Sequence, residues 1–144
     1  MQDLFSIKGK TALVTGGSRG IGEMIAAGFL ANGAKVYISS RKREACDATA
    51  KRLMGQFGGE CISLPADLSN IDGIDAAVKA FSETEDNLDI LVNNAGVAWG
   101  AALDEFPELG WDKVMDTNVK GVFFSRKNCY RFWRKMAALK TELE

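Results

Sequence analysis

Apolar runs and amphipathic stretches alternate along most of the chain. Residues 10–15 are apolar at consecutive central positions, as a strand buried on both faces requires. From 20 to 31 the period becomes helical, with Ile21, Met24, Ile25, Gly28 and Phe29 on one stripe. Asn32-Gly33 ends that helix, Gly33 supplying a left-handed cap. A second strand is predicted over 34–39, and a second helix from 41 to about 56, broken by Gly58-Gly59. A short third strand follows over 60–64. Ser69 or Asn70 caps a third helix, whose apolar positions Ile71, Ile74, Val78 and Phe81 recur at intervals of three and four. The fourth strand, 88–92, runs into the turn Asn93-Asn94-Ala95-Gly96.

Strands alternating with helices, with no internal repeat or linker, predict an α/β fold: a parallel sheet covered on both faces. Right-handed crossovers and a switch point after the first strand give a Rossmann-like doubly wound sheet of order 3-2-1-4. After Gly96 the chain turns helical, with Pro107 at a first helical position and Trp111, Val114, Met115, Val119 and Phe123 along the segment. No fifth strand is predicted, so the sheet is expected to stop at the fourth. Residues 125–144 read as a basic amphipathic helix: Arg126, Lys127, Arg131, Arg134, Lys135 and Lys140 alternate with Tyr130, Trp133, Met136 and Leu139. The chain thus divides into a nucleotide-binding domain, 1–124, and a helical tail, 125–144.

Composition narrows the function. The chain has 144 residues, 47% hydrophobic and 26% charged, which fits one soluble domain. A net charge of -1 gives no reason to expect nucleic acid or a membrane surface as partner. No apolar run approaches the roughly 20 residues of a membrane span, and the cytoplasm is the expected location. Cys46, Cys61 and Cys129 are odd in number and widely spaced, and the chain has no His, so neither a metal site nor a His-based triad is expected.

The chemistry concentrates in Thr15-Gly16-Gly17-Ser18-Arg19-Gly20-Ile21-Gly22, between the first strand and the first helix. A strand turning sharply into a helix aims backbone N–H groups and the positive helix end at one point, which suits a phosphate or pyrophosphate. Glycine answers the turn's dihedrals and admits close approach of the backbone. The spacing Thr-Gly-x-x-x-Gly-x-Gly resembles the cofactor loop of the short-chain dehydrogenase/reductase family, in its classical branch. Asn93-Asn94-Ala95-Gly96 resembles that family's second signature, and Asn118 in Thr117-Asn118-Val119 its third. The resemblance runs from about Lys8 to about Phe124.

That resemblance implies a dinucleotide whose pyrophosphate lies over Gly16, Ser18, Gly20, Ile21 and Gly22. The second strand ends Ser39-Ser40-Arg41-Lys42, with no acid before Glu44, and Arg19 is a second cation in the glycine loop. An acid there would bond a ribose 2′-hydroxyl, whereas Arg accommodates a 2′-phosphate, so NADP (NADPH) is the expected cofactor. By the same resemblance Asp67, with Leu68 beside it, contacts adenine. Asn94, Ala95 and Gly96 pack against the ribose, and Asn118 is the catalytic Asn that holds a water and distorts its helix.

The family also needs a catalytic Tyr, a Lys four residues later and a Ser, none of which the motif matches supply. Tyr130 is followed four residues on by Arg134 and stands 12 positions after Asn118, so it is rejected as the acid. The abrupt Ser125-Arg126-Lys127-Asn128-Cys129 raises the expectation of a truncated or shifted reading frame. The implied reaction is reversible hydride transfer between the nicotinamide and a carbonyl or alcohol. Residues 97–102 resemble the loop of bacterial 3-oxoacyl thioester reductases, which makes an acyl thioester the first substrate expectation. The rival is a non-catalytic nucleotide-binding or interaction module. An extended-type sugar-nucleotide epimerase is disfavoured by the glycine spacing. An edge strand at 88–92 and a tail bearing Tyr130, Phe132 and Trp133 lead to an expectation of self-association.

Overall fold

Each strand of the sheet feeds a helix that returns across one of its faces. The structure, a computed structural model, describes residues 4–141, with side chains through 133. In chain order the elements are β1 (Thr11–Thr15), α1 (Gly20–Ala31), β2 (Lys35–Ser39), α2 (Arg43–Phe57), β3 (Cys61–Ser63), α3 (Ile71–Ser82) and β4 (Ile90–Val92), then α4 (Glu108–Met115) and α5 (Gly121–Thr141). A π-helical turn, Asp116–Lys120, joins the last two. The strands are parallel, as the alternation of strands and helices predicts, and run in the order β3-β2-β1-β4 expected from right-handed crossovers with a switch point after β1. Thr15 lies opposite Ser39, and Val14 opposite Val92. This register brings the ends of three strands out at one edge of the sheet.

Side chains alternate across β1 and β2, which explains why the central residues of both strands are apolar on either face. Val14, Val36 and Ile38 face α1 and α2, packing with Ala26, Leu30 and Leu53. Leu13 and Tyr37 face the opposite side, where they meet Ile74, Val78 and Phe81 of α3 and Phe132 of α5.

Local rules set the boundaries, with several corrections. The buried face of α1 is Gly22, Ala26 and Leu30, whereas Ile21 and Met24 are 66% and 65% exposed. Where α1 starts against the sheet its facing positions, Gly22 and Ala26, are small, so the expected stripe of large residues is rotated off the true face, with only Ile25 and Phe29 of it partly packed on the core. Its end matches the reading: Gly33 adopts φ +79°, its amide donates to the Leu30 carbonyl at 2.9 Å, and Ala34 donates to Phe29 at 3.1 Å. Asn70 is the cap of α3, its side-chain oxygen accepting the Gly73 amide at 2.8 Å, whereas Ser69 turns toward Asp67. Ile71 is half exposed at 41%, because only Ile74, Ala77, Val78 and Phe81 of that helix reach the core. Pro107 is the residue before α4 rather than its first, and the long helix expected from it is interrupted by the π-helical turn.

Asp89, just before β4, pins the start of the sheet. Its carboxylate accepts the Thr11 amide at 2.9 Å and pairs with Lys10 at 3.2 Å. At the same end of the sheet Lys35 lies between Glu85 and Glu60, at 2.6 and 3.1 Å, and hydrogen bonding to these carboxylates raises its pKa.

Helix α5 continues without a break across residue 125. Ser125, Cys129 and Phe132 are buried at helical spacing against α3. The Phe132 ring meets Phe81 edge-on at 5.0 Å, and Phe81 meets Tyr37 edge-on at 4.8 Å. Phe132, expected to be exposed, is thus part of the core, while Tyr130 is 60% exposed. The side chains of Arg134, Lys135, Met136, Leu139 and Lys140, which complete the expected basic helix, lie outside the described residues, as do residues 1–3 and 142–144. All the cysteines are buried and unpaired, and burial pushes the thiols of Cys61 and Cys129 up to about 12 and about 11.

The ring stack yields a direct comparison. Phe132→Ala should cost about 3–5 kcal/mol by leaving a cavity, whereas Tyr130→Ala should change stability by about 0.5 kcal/mol or less. Urea unfolding followed by circular dichroism reads both. Equal effects would mean that α5 does not pack on α3 as described.

Candidate functional site

The site begins with one hydroxyl. The Thr15 Oγ1 donates to the Val92 carbonyl at 3.1 Å and accepts the backbone amides of Asn94 and Ala95, each at 3.0 Å. A hydroxyl has one donor and two acceptor positions, so Thr15 is saturated. The Asn94 side chain answers from the other loop, its Nδ2 donating to the carbonyls of Thr15 at 3.0 Å and Gly16 at 3.3 Å. The Gly17 amide donates to Ser39 at 3.1 Å on the opposite flank. The glycine loop is therefore tied to both neighbouring strands.

Two glycines show why no other residue serves. Gly16 has φ +66°, and an added Cβ there would stand 2.9 Å from Asn94 Nδ2. At Gly22 a Cβ would lie 2.3 Å from the Gly16 carbonyl oxygen, inside any tolerable contact. Gly22 is thus what lets α1 start against the end of β1.

Above the clasp opens a cleft of about 400 Å³. The glycine loop contributes Gly16, Ser18, Arg19, Gly20 and Ile21, and the end of β2 adds Ser39, Ser40 and Arg41. The loop after β3 supplies Ala66, Asp67, Leu68 and Ser69, and the turn after β4 supplies Asn94, Ala95, Gly96 and Val97, with Thr117 beyond. Every expected cofactor residue except Gly22 lines this cleft, and Gly22 sits beneath it. Ser39, Ser40, Ala66, Ser69, Val97 and Thr117 line it as well. The strand register places all of these but Thr117, because residues at or just past the ends of parallel strands share one crevice; Thr117 comes from the π-helical turn.

Arg19 precedes α1 in extended conformation, φ -163°, and gives no side-chain cap to the helix. The first-turn amides of an uncapped helix lack intrahelical partners and attract an anion. An adjoining cleft of about 700 Å³ is lined by Ser18, Arg19, Ser40, Arg41, Lys42 and Ala45, with cations and no carboxylate. Asp67 lines the main cleft with Arg41. Burial alone would raise its pKa, but hydrogen bonds from the Ser69 amide at 3.0 Å and hydroxyl at 2.7 Å, with the charge of Arg41, hold it below the usual carboxylate range. The Ser39 hydroxyl, buried at the cleft wall, has no hydrogen-bond partner among the described residues.

Asn118 lies in the π-helical turn, a distortion that often marks functional positions. Its Oδ1 accepts the Val97 amide at 2.9 Å and its Nδ2 donates to the Val97 carbonyl at 2.8 Å. The side chain therefore fastens the loop after β4 to the turn, and each end of the amide keeps one further bonding position. Past it lies an apolar groove of about 380 Å³, lined by Val97, Ala98, Trp99, Phe106, Trp111, Val114 and Met115. Trp99 lies on Gly110, where a Cβ would come within 2.6 Å of the indole, and the Lys113 ammonium sits 5.4 Å from its ring. Tyr130 is not among the residues lining cleft or groove. Among the described residues no group of His, Cys, Asp and Glu could hold a metal ion, and no helix is long and apolar enough to cross a membrane.

A glycine loop between strand and helix, opening at the reversal of strand order in a parallel sheet, places the protein in the Rossmann-like class of doubly wound α/β domains. The chain belongs to the short-chain dehydrogenase family, whose sequence profile matches residues 10–138. The match thus runs past Phe124 and along α5.

Among relatives, the rhamnolipids biosynthesis 3-oxoacyl-[acyl-carrier-protein] reductase of Pseudomonas aeruginosa is 54% identical over 123 residues, covering 85% of this chain and 47% of that protein. Gluconate 5-dehydrogenase of Gluconobacter oxydans is 41% identical over 127 residues, with the same coverage of 85% and 47%. Among solved structures, the RhlG/NADP active-site complex of Pseudomonas aeruginosa superposes with a TM-score of 0.87 at 50% identity, covering 94% of this chain and 52% of that one. L-Sorbose reductase of Gluconobacter frateurii, complexed with NADPH and L-sorbose, gives a TM-score of 0.82 at 30% identity, covering 85% and 47%. The chain spans about half the length of the relatives it matches.

Proposed function

We propose that this chain is the cofactor-binding part of an NADP-dependent short-chain oxidoreductase. The observation that carries this reading is the pair Arg19 and Arg41 lining one basic cleft beside the glycine loop, with no carboxylate at the end of β2. NADP, when bound, supplies or accepts the hydride exchanged with a carbonyl or alcohol. This chain's residues do the holding. The α1 amides and Gly16, Ser18, Gly20 and Ile21 take the pyrophosphate, and Arg19 and Arg41 take the 2′-phosphate. Asp67 and Leu68 flank the adenine, and Asn94, Ala95 and Gly96 meet the ribose. The Ser39 hydroxyl offers an unused bonding group at the same wall. Asn118 holds the loop after β4 and keeps free positions for a water.

The substrate class is a small carbonyl compound, first a 3-oxoacyl thioester, and similarity to the Pseudomonas reductase supports that choice. A cytoplasmic location belongs to the same reading. Self-association does too, since Leu109, Val119, Phe123 and Tyr130 leave apolar surface exposed along α4 and α5. Sedimentation at several concentrations should show mass rising with concentration, and a constant monomer mass would remove that part.

A second, alternative reading is a nucleotide-binding or interaction module without catalysis; Tyr130, followed four residues on by Arg134, lines neither the cleft nor the apolar groove.

NADP should bind more tightly than NAD, and Arg41→Ala should weaken NADP by about 10- to 150-fold, the worth of a charged hydrogen bond. Titration of both cofactors into wild type and variant reads this. Equal affinities in the wild type would make the cations bystanders. A chain that binds NADP but consumes no NADPH with a 3-oxoacyl thioester follows the second reading.

A further inference from the structure

We infer that Thr49, on α2 and outside the cofactor cleft, is a positioning residue that sets the preference for a 2′-phosphorylated cofactor; this rests on the NADP reading above. Thr49 is buried, with 5% of its surface exposed. Its hydroxyl donates to the Ser18 carbonyl at 2.9 Å, across 31 residues of sequence. Ser18 immediately precedes Arg19, the loop's cation. Ala45, one turn before Thr49 on the same helix, lines the basic cleft with Ser18, Arg19, Arg41 and Lys42. One hydrogen bond therefore ties the segment carrying Arg19 to the helix that follows Arg41 and Lys42.

The two halves of the glycine loop are held by different contacts. Gly16 and Gly17 are fixed from the sheet by Asn94 and Ser39. Gly22 is fixed by its close approach to Gly16. Those contacts shape the pyrophosphate end, which NAD and NADP share. Ser18 and Arg19 lie between them, and among the described residues the Thr49 hydroxyl is the side-chain tie on that stretch. The neighbouring ion pair of Arg52 with Glu23, at 2.9 Å, joins α1 to α2 without touching the loop. Loss of the Thr49 donor leaves the Ser18 carbonyl without this partner and frees Arg19 to change its distance from Arg41. The 2′-phosphate is gripped by both cations, so its contribution falls first. The pyrophosphate contribution stays.

The test is the ratio of NADP to NAD affinity, measured by calorimetric titration of the full chain. Wild type should prefer NADP. Thr49→Val keeps the side-chain shape and removes the donor; it should weaken NADP by about three- to tenfold, the range of one neutral hydrogen bond, and leave NAD within about twofold. Thr49→Ser keeps the donor and should retain the wild-type ratio. Circular dichroism verifies folding, and if Thr49→Val does not fold, Thr49→Ala is read in its place. A donor-less variant that weakens both cofactors equally, or neither, overturns the inference while leaving the NADP reading intact. So does loss of the preference in Thr49→Ser. A wild type without preference for NADP overturns the NADP reading and the inference with it.

Discussion

The Thr15 hydroxyl is the contact on which the cleft depends. It closes β1 against the turn after β4 by one donated and two accepted hydrogen bonds. Parallel strands cannot share a hairpin, so their ends have no covalent reason to stay together. Here a side chain provides that reason. Once Asn94 is drawn in, its own amide reaches back to Thr15 and Gly16 and leaves no room for a Cβ at Gly16 or Gly22. The helix can then start against the strand end, which is what directs its positive terminus into the cleft.

Around this clasp the charge distribution gives the cleft its polarity. Arg19 and Arg41 enter from different loops and meet at one wall, while Asp67 is kept ionised nearby by Ser69 and by Arg41 itself. The ion pairs of the opposite end of the sheet, where Lys35 sits between Glu85 and Glu60, serve the fold and not the cleft. Function and stability thus occupy opposite ends of the same strands, as the parallel register allows.

Much of this was legible in the chain because the rules involved are local. The parallel sheet followed from alternating strands and helices, its order from right-handed crossovers about a switch point, the cap at Gly33 from its neighbours, and the cleft residues from motif positions. What escaped depends on distance in three dimensions. The small residues Gly22 and Ala26 form the buried face of α1, since proximity to the sheet selects against bulk there and periodicity of large side chains points elsewhere. Phe132 looks like a stray aromatic in a basic tail until α3 brings Phe81 to it. Thr15 carries no signal beyond its place in the loop, because its partners lie 77 to 80 positions away. Asn118 was expected for a role in holding water, and its bonds to Val97 add a structural task that sequence spacing does not reveal.

The central claim is that the clasped cleft is an NADP site. An amide-resolved nuclear magnetic resonance titration of the chain with NADP tests it most directly. The account predicts saturable shifts largest at Gly16, Ser18 to Ile21, Arg41 and Ala95 to Gly96, with little change at the Lys35 end of the sheet. Absence of saturable shifts, or shifts confined to the exposed face of α4 and α5, would contradict it.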